Sequence, residues 1–407
     1  MRRGVRREGA GPSLQRGREE LPHPRAGALG ARGVPAVQED RDRGGLLELQ
    51  DALVPGERPA HRDRAGSETA ARGQGIGREH GADDRPAPSD RLLESPLLQH
   101  PVDGAPRRDG SDAQADRGRV LSRVVVLGST GQLGSDLVEA FSREDVRGLA
   151  HEDLEIGDAE AVREVLGRLR PNVVVNTAAF HNVPRCETEP ERAFALNATA
   201  PWNLARTCRD LGARLVHVST DYVFDGTKRA PYVETDRPNP LNVYAVSKLA
   251  GEYAVLNAGG DHQVVRSSGL YGLRPCRAKG GNFIDTMFKA ARERDEVRVV
   301  DDEVLTPTFT ADLAAQIRVL ALEGPPGLYH ATSQGSCSWY EFARLIFELG
   351  RLGTPLRPTT VKEFASPVRR PFYSVLENAA LQAVGLDRMR DWREALADYM
   401  QRRSAAG

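Results

Sequence analysis

A short apolar segment that runs directly into a glycine-rich turn constrains the fold of this chain more than any other feature. Residues 124–127 are consistent with a buried strand, and the segment GSTGQLG at 128–134 and a helical pattern follow at once. In such a turn Gly128 permits the tight bend, Gly131 lets the backbone approach a pyrophosphate, and Gly134 allows close packing of the helix. The order of strand, turn and helix therefore predicts a dinucleotide-binding unit.

From position 123 onward, short apolar segments alternate with longer helical patterns. The predicted strands are 124–127, 145–149, 172–175, 213–218 and 263–265, and the predicted helices are 132–141, 159–169, 189–210 and 242–257. This alternation is typical of an α/β fold with a doubly wound parallel sheet, the Rossmann architecture. Right-handed crossovers place the carboxyl ends of the strands along one edge, where ligands bind.

The pattern changes after position 268. Loops rich in glycine, proline and arginine separate the remaining predicted helices, which are 282–294, 339–349 and 392–402. We therefore predict a dinucleotide-binding Rossmann domain at 121–268 and a smaller, mostly helical substrate-binding lobe at 269–407. A minor strand contributed by this lobe to the sheet stays open.

Residues 1–120 differ in composition from the rest of the chain. They contain no Phe, Tyr, Trp, Lys, Asn or Cys, and their one apolar cluster is the LLEL segment at 46–49. A segment that buries so little apolar surface does not offset the entropy of ordering, so we expect it to be disordered. The alternative is a spurious extension, the translation of upstream DNA from an over-extended start. The segment fits neither a signal peptide nor a transit peptide.

Charge, hydropathy and cysteines limit the classes of function. Arginines and acids nearly balance in 1–120, which argues against a basic arm, so no nucleic-acid partner is expected. No apolar run reaches membrane-spanning length, so we expect no membrane partner and a cytoplasmic location. The four cysteines are widely spaced, which favours free thiols over a disulfide framework. No cluster of ligands has metal-site spacing, so no metal is predicted. A homodimer stays open.

A tyrosine and a lysine share one face of the predicted helix at 242–257. Tyr244 and Lys248 are four residues apart, so their side chains lie on the same side. A phenol with an ordinary pKa of about 10 is a weak acid, and a neighbouring ammonium lowers that pKa toward the range useful for proton transfer. The pair alone is common on exposed helices. After a dinucleotide turn, it predicts hydride exchange with a nicotinamide cofactor, with Tyr244 handling the proton.

The segment VSTDYVFDG at 218–226 follows the predicted strand at 213–218. Because substrate is expected at this edge, Thr220 is a candidate to hydrogen-bond a carbonyl oxygen as it gains charge. Asp221 and Tyr222 are candidate substrate contacts beside it. The alternative is that Thr220 merely terminates the strand.

The end of the second predicted strand bears on the choice of cofactor. An NAD-preferring enzyme usually has an acid there, which binds the ribose. This chain has Ala150 instead of an acid at that place, with Arg147 before it and His151 after it. These two side chains suit a 2′-phosphate, so we predict NADPH, with NADH as the alternative. The competing interpretation is that both are solvated surface residues.

Together these motifs resemble the extended short-chain dehydrogenase/reductase superfamily and, within it, the dTDP-4-dehydrorhamnose reductase family. The stretches that carry the resemblance are 128–134, 176–180, 219–226, 244–252, 281–283, 299–302, 306–308, 336–342, 370–371 and 392–396. It covers nearly all of 121–407 and none of 1–120. It implies NADPH-dependent reduction of the C4 ketone of dTDP-4-dehydro-6-deoxy-L-mannose to dTDP-L-rhamnose, with hydride from the nicotinamide and a proton from Tyr244.

The resemblance also implies roles for residues of this chain. The implied catalytic set is Thr220, Tyr244 and Lys248. The implied cofactor contacts are Gly128, Thr130, Gly131, Gln132, Leu133, Gly134, His151, Glu155, Ile156, Ala178, Ala179, Tyr244 and Lys248. The implied contacts of the small nucleotide-sugar substrate are Asp221, Tyr222, Asn282 and Thr306.

The chain departs from the family pattern at three positions. Ala245 stands where glycine is usual, Gly269 where a substrate-facing tryptophan is common, and Pro184 where an acid is usual. Two alternatives stay open: another nucleotide-sugar epimerase or reductase of the superfamily, and a non-catalytic NADP-binding subunit similar to the regulatory subunit of methionine adenosyltransferase. A dehydratase is disfavoured because Tyr222, and not an acid, follows Asp221.

Overall fold

The structure, a computed structural model, describes residues 121–274, 281–364 and 368–406. The disorder predicted for 1–120 lies outside these residues. The strands are β1 (Arg123–Leu127), β2 (Asp145–Leu149), β3 (Val173–Asn176), β4 (Arg214–Thr220), β5 (Gln263–Ser267), β6 (Leu270–Tyr271), β7 (Val297–Val300), β8 (Val304–Leu305), β9 (Thr308–Phe309), β10 (Gly327–His330), β11 (Cys337–Ser338) and β12 (Leu356–Thr359).

Helices connect these strands. The α-helices are α1 (Gln132–Ala140), α2 (Ala159–Leu169), α3 (Val183–Thr188), α4 (Pro190–Phe194), α5 (Ala200–Asp210), α6 (Val243–Leu256), α7 (Phe283–Glu293), α8 (Thr310–Glu323), α9 (Trp339–Gly350), α10 (Val361–Phe364), α11 (Ala379–Ala383) and α12 (Trp392–Ala406). A π-helical turn (Ala195–Thr199) joins α4 to α5, and a 3₁₀ turn (Asp221–Val223) follows β4.

The first five strands and β10 form one parallel sheet in the order β10-β5-β4-β3-β1-β2. This arrangement confirms the predicted doubly wound α/β fold. The chain runs from β1 outward to β2 and then crosses back over β1 to β3. The carboxyl ends of β1 and β3 therefore flank a topological switch point, the place where such sheets bind ligands.

Both faces of the sheet are covered by apolar side chains. Successive residues of a strand point to opposite faces. Val124 and Val126 of β1 accordingly join the apolar cluster that includes α1 and α8, whereas Val125 and Leu127 join the cluster that includes α2 and α5. Near-continuous apolar strands are the expected consequence of a parallel sheet buried on both sides.

The second half of the described chain builds a separate aromatic core and also returns to the sheet. Helices α7, α9 and α12 pack around Tyr271, Phe309 and Phe342. Helix α8 then packs beside α1 on the sheet, and β10 becomes its sixth strand. The boundary between domains at 268/269 stays a prediction.

One predicted helix differs in its interior. The pattern at 189–210 forms α4, the π turn and α5 instead of one regular helix. Pro201 has no N–H to donate to the carbonyl of Asn197, four residues earlier, so a regular hydrogen bond is missing there. The Asn197 side chain bonds both the N–H and the carbonyl of Phe180, each at 2.8 Å. These hydrogen bonds hold the loop after β3 against the π turn. Such turns often occur at functional sites.

We predict that Gly251→Ala lowers the free energy of unfolding by about 1–3 kcal/mol, as overpacking usually does. A Cβ at Gly251 would lie 2.1 Å from the carbonyl oxygen of Asn197, so α6 and the π turn would have to separate. Gly167→Ala in α2 is the control, because a Cβ there meets nothing within 4 Å. Denaturant unfolding should show the control unchanged or stabilised by up to about 1 kcal/mol. Equal stability of the two variants would contradict this packing.

Candidate active site

The glycine turn lies at the carboxyl end of β1 and has the geometry of a phosphate cradle. Gly128 has a φ of +77°, and its N–H and that of Ser129 donate to the Leu149 carbonyl at 3.0 and 3.1 Å. A Cβ at Gly134 would lie 2.1 Å from the Gly128 carbonyl oxygen. The first and third glycines are therefore required by the backbone, as the motif predicts.

The amino end of α1 provides donors for an anion. Gly131 is the N-cap and has no side chain to cap the helix, so the first N–H groups of α1 face the space above the turn. The Gln132 side-chain nitrogen Nε2 is buried and has no hydrogen-bond partner among the described residues. Unpaired donors at a helix amino end fit the pyrophosphate of a dinucleotide. Thr130 and Leu133 belong to the same turn and first helical residues.

The end of β2, the strand beside β1, borders the glycine turn, because Leu149 accepts from the turn's N–H groups. Arg147 and His151 are both exposed, and His151 Nδ1 lies 3.2 Å from Glu155 Oε2. Ile156 is buried in the apolar cluster with Leu149. Ile156 therefore packs within the protein and its cofactor contact stays a prediction, whereas the exposed basic groups suit a phosphate in solvent.

The loop after β3 lies at the same edge of the sheet, on the other side of β1 from β2. Ala178 and Ala179 are partly buried directly after the strand, so small side chains border the cradle. The Ala178 N–H donates to Asn176 Oδ1 at 3.1 Å, which holds the start of the loop.

Tyr244 and Lys248 lie on the first two turns of α6, which begins with the Asn242 side chain accepting from the Ala245 N–H at 2.9 Å. Tyr244 is partly exposed and its ring packs edge-on against Tyr222, with centroids 6.3 Å apart. The structure therefore brings together the phenol and the turn after β4. This arrangement puts the phenol at the sheet edge, where substrate is expected.

Lys248 lies deeper than Tyr244. Its Nζ donates to the Val218 carbonyl at 2.7 Å and lies 3.2 Å from His217 Nε2. Burial lowers the pKa of the Lys248 ammonium to about 8, while the charge of Glu252 acts in the opposite direction. A lysine that titrates near neutral pH suits a group that handles protons beside a phenol.

Thr220 ends β4 and its hydroxyl is held locally. Oγ1 donates to Asp221 Oδ1 at 3.1 Å and accepts from the Tyr222 N–H at 3.2 Å. Asp221 is buried, and its Oδ2 accepts from Ser268 Oγ at 2.8 Å. Burial raises the pKa of the Asp221 carboxyl, and its hydrogen bonds from Ser374, Ser268 and Thr220 lower it. In this structure Asp221 therefore orients Thr220, and its substrate contact stays a prediction.

Two predicted substrate residues are engaged within the protein. Asn282 is the N-cap of α7 and forms a capping box with Asp285, and its Nδ2 donates to the Gly272 carbonyl and Tyr399 OH. Thr306 is buried, and its Oγ1 donates to the Gly335 carbonyl at 2.9 Å. The described contacts do not bring either side chain to Tyr244 or Thr220, so their substrate roles stay predictions.

The three departures from the family pattern have local physical contexts. Gly269 has a φ of +56°, and a Cβ there would lie 2.9 Å from Leu305 Cδ1 and 3.0 Å from Pro307 Cα, so this backbone disfavours a tryptophan. Pro184 lies in the first turn of α3, where its missing N–H costs little. Ala245 is fully buried in α6.

Several buried polar residues around the site were not predicted from the sequence. They are Asn176, Asn197, His217 and the ion pair Glu252–Arg266. Polar residues within otherwise apolar strands were the available signal for Asn176, His217 and Arg266. Glu252 is four residues beyond Lys248, so it shares the face of α6 that carries Tyr244 and Lys248.

Within 121–274, 281–364 and 368–406, no group of three or more His, Cys, Asp and Glu side chains is placed to hold a metal ion. None of the helices described there has both the length and the apolar character needed to cross a bilayer.

The chain is similar to known proteins over the region that builds this site. Residues 122–405 match the family model of the RmlD substrate binding domain. A dTDP-4-dehydrorhamnose reductase of Streptomyces griseus is 42% identical over 285 residues, which cover 68% of this chain and 92% of the relative. A dTDP-4-keto-6-deoxy-D-glucose reductase of Streptomyces niveus is 41% identical over 281 residues, which cover 68% of this chain and 96% of the relative.

A solved structure shares the fold. The chain is 35% identical to a dTDP-4-dehydrorhamnose reductase from Bacillus anthracis in complex with NADP, with a TM-score of 0.66. The match covers 69% of this chain and 99% of the other.

Proposed function

This chain belongs to the RmlD substrate binding domain family, and we propose that it is an NADPH-dependent reductase of a nucleotide-sugar ketone. The reaction is reduction of the C4 ketone of dTDP-4-dehydro-6-deoxy-L-mannose to dTDP-L-rhamnose. The observation that carries the proposal is that Tyr244 contacts the turn after β4 and Lys248 bonds to β4 itself, at the same sheet edge as the glycine cradle. The relatives named as reductases of 4-keto sugar nucleotides support it.

The residues of this chain have different roles in the proposed reaction. The bound nicotinamide supplies the hydride. The glycine turn and the amino end of α1 would hold its pyrophosphate, with Gln132 as an additional donor. Tyr244 donates the proton to the carbonyl oxygen, and Lys248 supports the charge that remains on the phenol. Thr220 donates to the same oxygen once its hydroxyl turns away from Asp221.

The assay that tests this function uses the full chain, NADPH and two ketones. We expect NADPH to be consumed with dTDP-4-dehydro-6-deoxy-L-mannose and dTDP-L-rhamnose to appear. The second ketone, dTDP-4-keto-6-deoxy-D-glucose, is included because the Streptomyces niveus relative is named for it. Consumption of NADPH with the second ketone alone would replace the proposed substrate. Binding of NADPH without reduction of either would favour a non-catalytic subunit, and sugar interconversion without net oxidation of NADPH would favour an epimerase.

We predict that Arg147→Ala raises the KM for NADPH by about tenfold and leaves the KM for NADH unchanged. A charged hydrogen bond to a 2′-phosphate contributes about 1.5–3 kcal/mol, and NADH lacks that phosphate. Arg147 is exposed in the middle of β2, two residues before the strand ends at Leu149, so its side chain would have to extend along the strand to reach the phosphate. Arg168→Ala is the control, since Arg168 is exposed on α2 and pairs with Glu164. An equal change for both cofactors would exclude a 2′-phosphate role for Arg147.

Two wider expectations stay predictions. The nucleotide-sugar substrate and the cofactor fit an enzyme of the cytoplasm, which is where we expect this one to act. A homodimer also stays open, and measurement of the molar mass in solution would decide it.

A further inference from the structure

A buried histidine connects the loop after β3 to the lysine of the active site. His217 lies in β4 with no exposed surface, and it points toward α6. Its Nδ1 is 3.1 Å from Asn176 Nδ2, and its Nε2 is 3.2 Å from Lys248 Nζ. Asn176 in turn accepts from the Ala178 N–H at 3.1 Å. A continuous line of polar atoms therefore runs from the loop after β3 to Lys248.

The backbone determines which way the hydrogens point along this line. The Ala178 N–H needs an acceptor, so Asn176 directs Oδ1 at it and Nδ2–H at His217. The opposite amide orientation would bring two donors together at Ala178. His217 Nδ1 must then accept. Burial, followed by the charge of Lys248, holds the pKa of His217 well below its ordinary value, so the ring is neutral. Its single proton is consequently on Nε2.

An Nε2–H that faces Lys248 favours the uncharged amine over the ammonium. An ammonium would oppose this N–H with its own N–H, whereas an uncharged amine accepts from it through its lone pair. The uncharged amine then donates one hydrogen to the Val218 carbonyl and keeps one for the cleft. The arrangement both orients the amine and disfavours its charge.

We propose that His217, oriented by Asn176, is a positioning residue that directs the Lys248 amine toward the cofactor and stabilises its uncharged form in the free protein. The expected changes in KM rest on the proposed reductase function. The expected His217 tautomer and Lys248 titration do not.

Other charged groups around Lys248 do not produce the same effect. Glu252 and Tyr244 lie on the same helix, and Glu252 favours the ammonium. Arg266 of β5 holds Glu252 in a buried ion pair, which limits that influence. Glu187 of α3 accepts from the Val243 N–H at the start of α6. His217 of β4 is the group whose proton faces the amine.

The direct test is the titration of Lys248 in full-length protein labelled with ¹³C at lysine Cε. The chain contains five lysines, so the signal is assigned by its loss in Lys248→Met. In wild type we expect a midpoint at about pH 8. In His217→Asn, whose shorter amide still reaches Asn176 but not Lys248, the midpoint should rise by about one pH unit, the equivalent of one ordinary hydrogen bond.

A matched control separates this effect from the loss of a buried ring. His262 is also buried, its Nδ1 accepts from the Leu215 N–H at 3.2 Å, and its Nε2 lies 3.0 Å from the Ala205 carbonyl oxygen. His262→Asn also replaces a buried ring by a shorter amide, but it should leave the midpoint of the Lys248 titration unchanged. An unchanged midpoint in His217→Asn, or an equal rise in both variants, would overturn the proposal.

Two readouts distinguish this proposal from the reductase function. ¹⁵N spectra of the free protein should show His217 as the neutral Nε2–H tautomer, and an Nδ1–H tautomer would overturn the inference whether or not the enzyme turns over. In the reductase assay, His217→Asn should raise the KM for NADPH about fivefold, the effect of one lost hydrogen bond, and leave the KM for the sugar unchanged. Absence of turnover in wild type, with the Nε2–H tautomer present, would count against the function alone.

Discussion

Tyr244→Phe is expected to lower kcat for ketone reduction at least roughly a hundredfold, the usual contribution of a positioned general acid. The variant loses only the hydroxyl, and the ring keeps its edge-on contact with Tyr222. Stability and NADPH binding should therefore change little. The loss should appear in kcat rather than in the KM for NADPH, because the proton is needed only as the carbonyl oxygen gains charge.

Tyr253→Phe provides the matched control for this measurement. Tyr253 lies on the same helix, two to three turns later, and is 53% exposed. Removal of its hydroxyl tests the general effect of the substitution on α6 without touching the sheet edge. Turnover of the control should equal that of wild type. If Tyr244→Phe retained more than about a tenth of wild-type kcat, another group would be the acid and the roles proposed here would fail.

Local sequence signals predicted the first half of the fold well. The predicted segments 145–149 and 159–169 have the bounds of β2 and α2. In α2 the pattern agrees with the capping chemistry, since Asp158 accepts from the N–H groups of Glu160 and Ala161. Elements of this kind are specified by neighbours a few residues apart, which is the range that periodicity and capping describe.

Elements that depend on distant partners were predicted less well. The π turn follows from Pro201 together with the approach of Gly251 and the bonds from Asn197 to Phe180. Helix α8 and strand β10 return to a sheet whose other strands lie before position 268, and no local pattern marks that return. Periodicity identifies an amphipathic element but not the surface against which it packs.

The candidate site shows the same division. Gly128, Gly134, Tyr244 and Lys248 were predicted because their chemistry depends on fixed short spacings. His217 was missed because one polar residue in an apolar strand has many explanations, and only its contact with Lys248 gives it a role.

Arg266→Met is expected to lower the free energy of unfolding by about 3–5 kcal/mol, the cost of leaving one charge of a buried pair without its partner. Arg266 and Glu252 are only 2% and 1% exposed, and Arg266 Nη2 lies 2.6 Å from Glu252 Oε2. Arg266 also packs over the Phe224 ring, so methionine retains much of the volume. Denaturant unfolding provides the measurement. The exposed pair Arg298–Glu363 is the control, and Arg298→Met should cost no more than about 1 kcal/mol.

The double variant Arg266→Met with Glu252→Gln isolates the unpaired charge as the cause. It removes the carboxylate while Ser219 Oγ, now 2.5 Å from Glu252 Oε1, keeps an amide partner, so much of the lost stability should return. Lowering the pH should also restore part of the free energy of unfolding of Arg266→Met. Acid neutralises the buried carboxylate that has lost its partner, so the single variant should be less destabilised at pH 5 than at pH 8. A single variant that is equally destabilised at pH 8 and pH 5, and is not rescued by the second substitution, would mean that packing, rather than charge, gives the pair its importance.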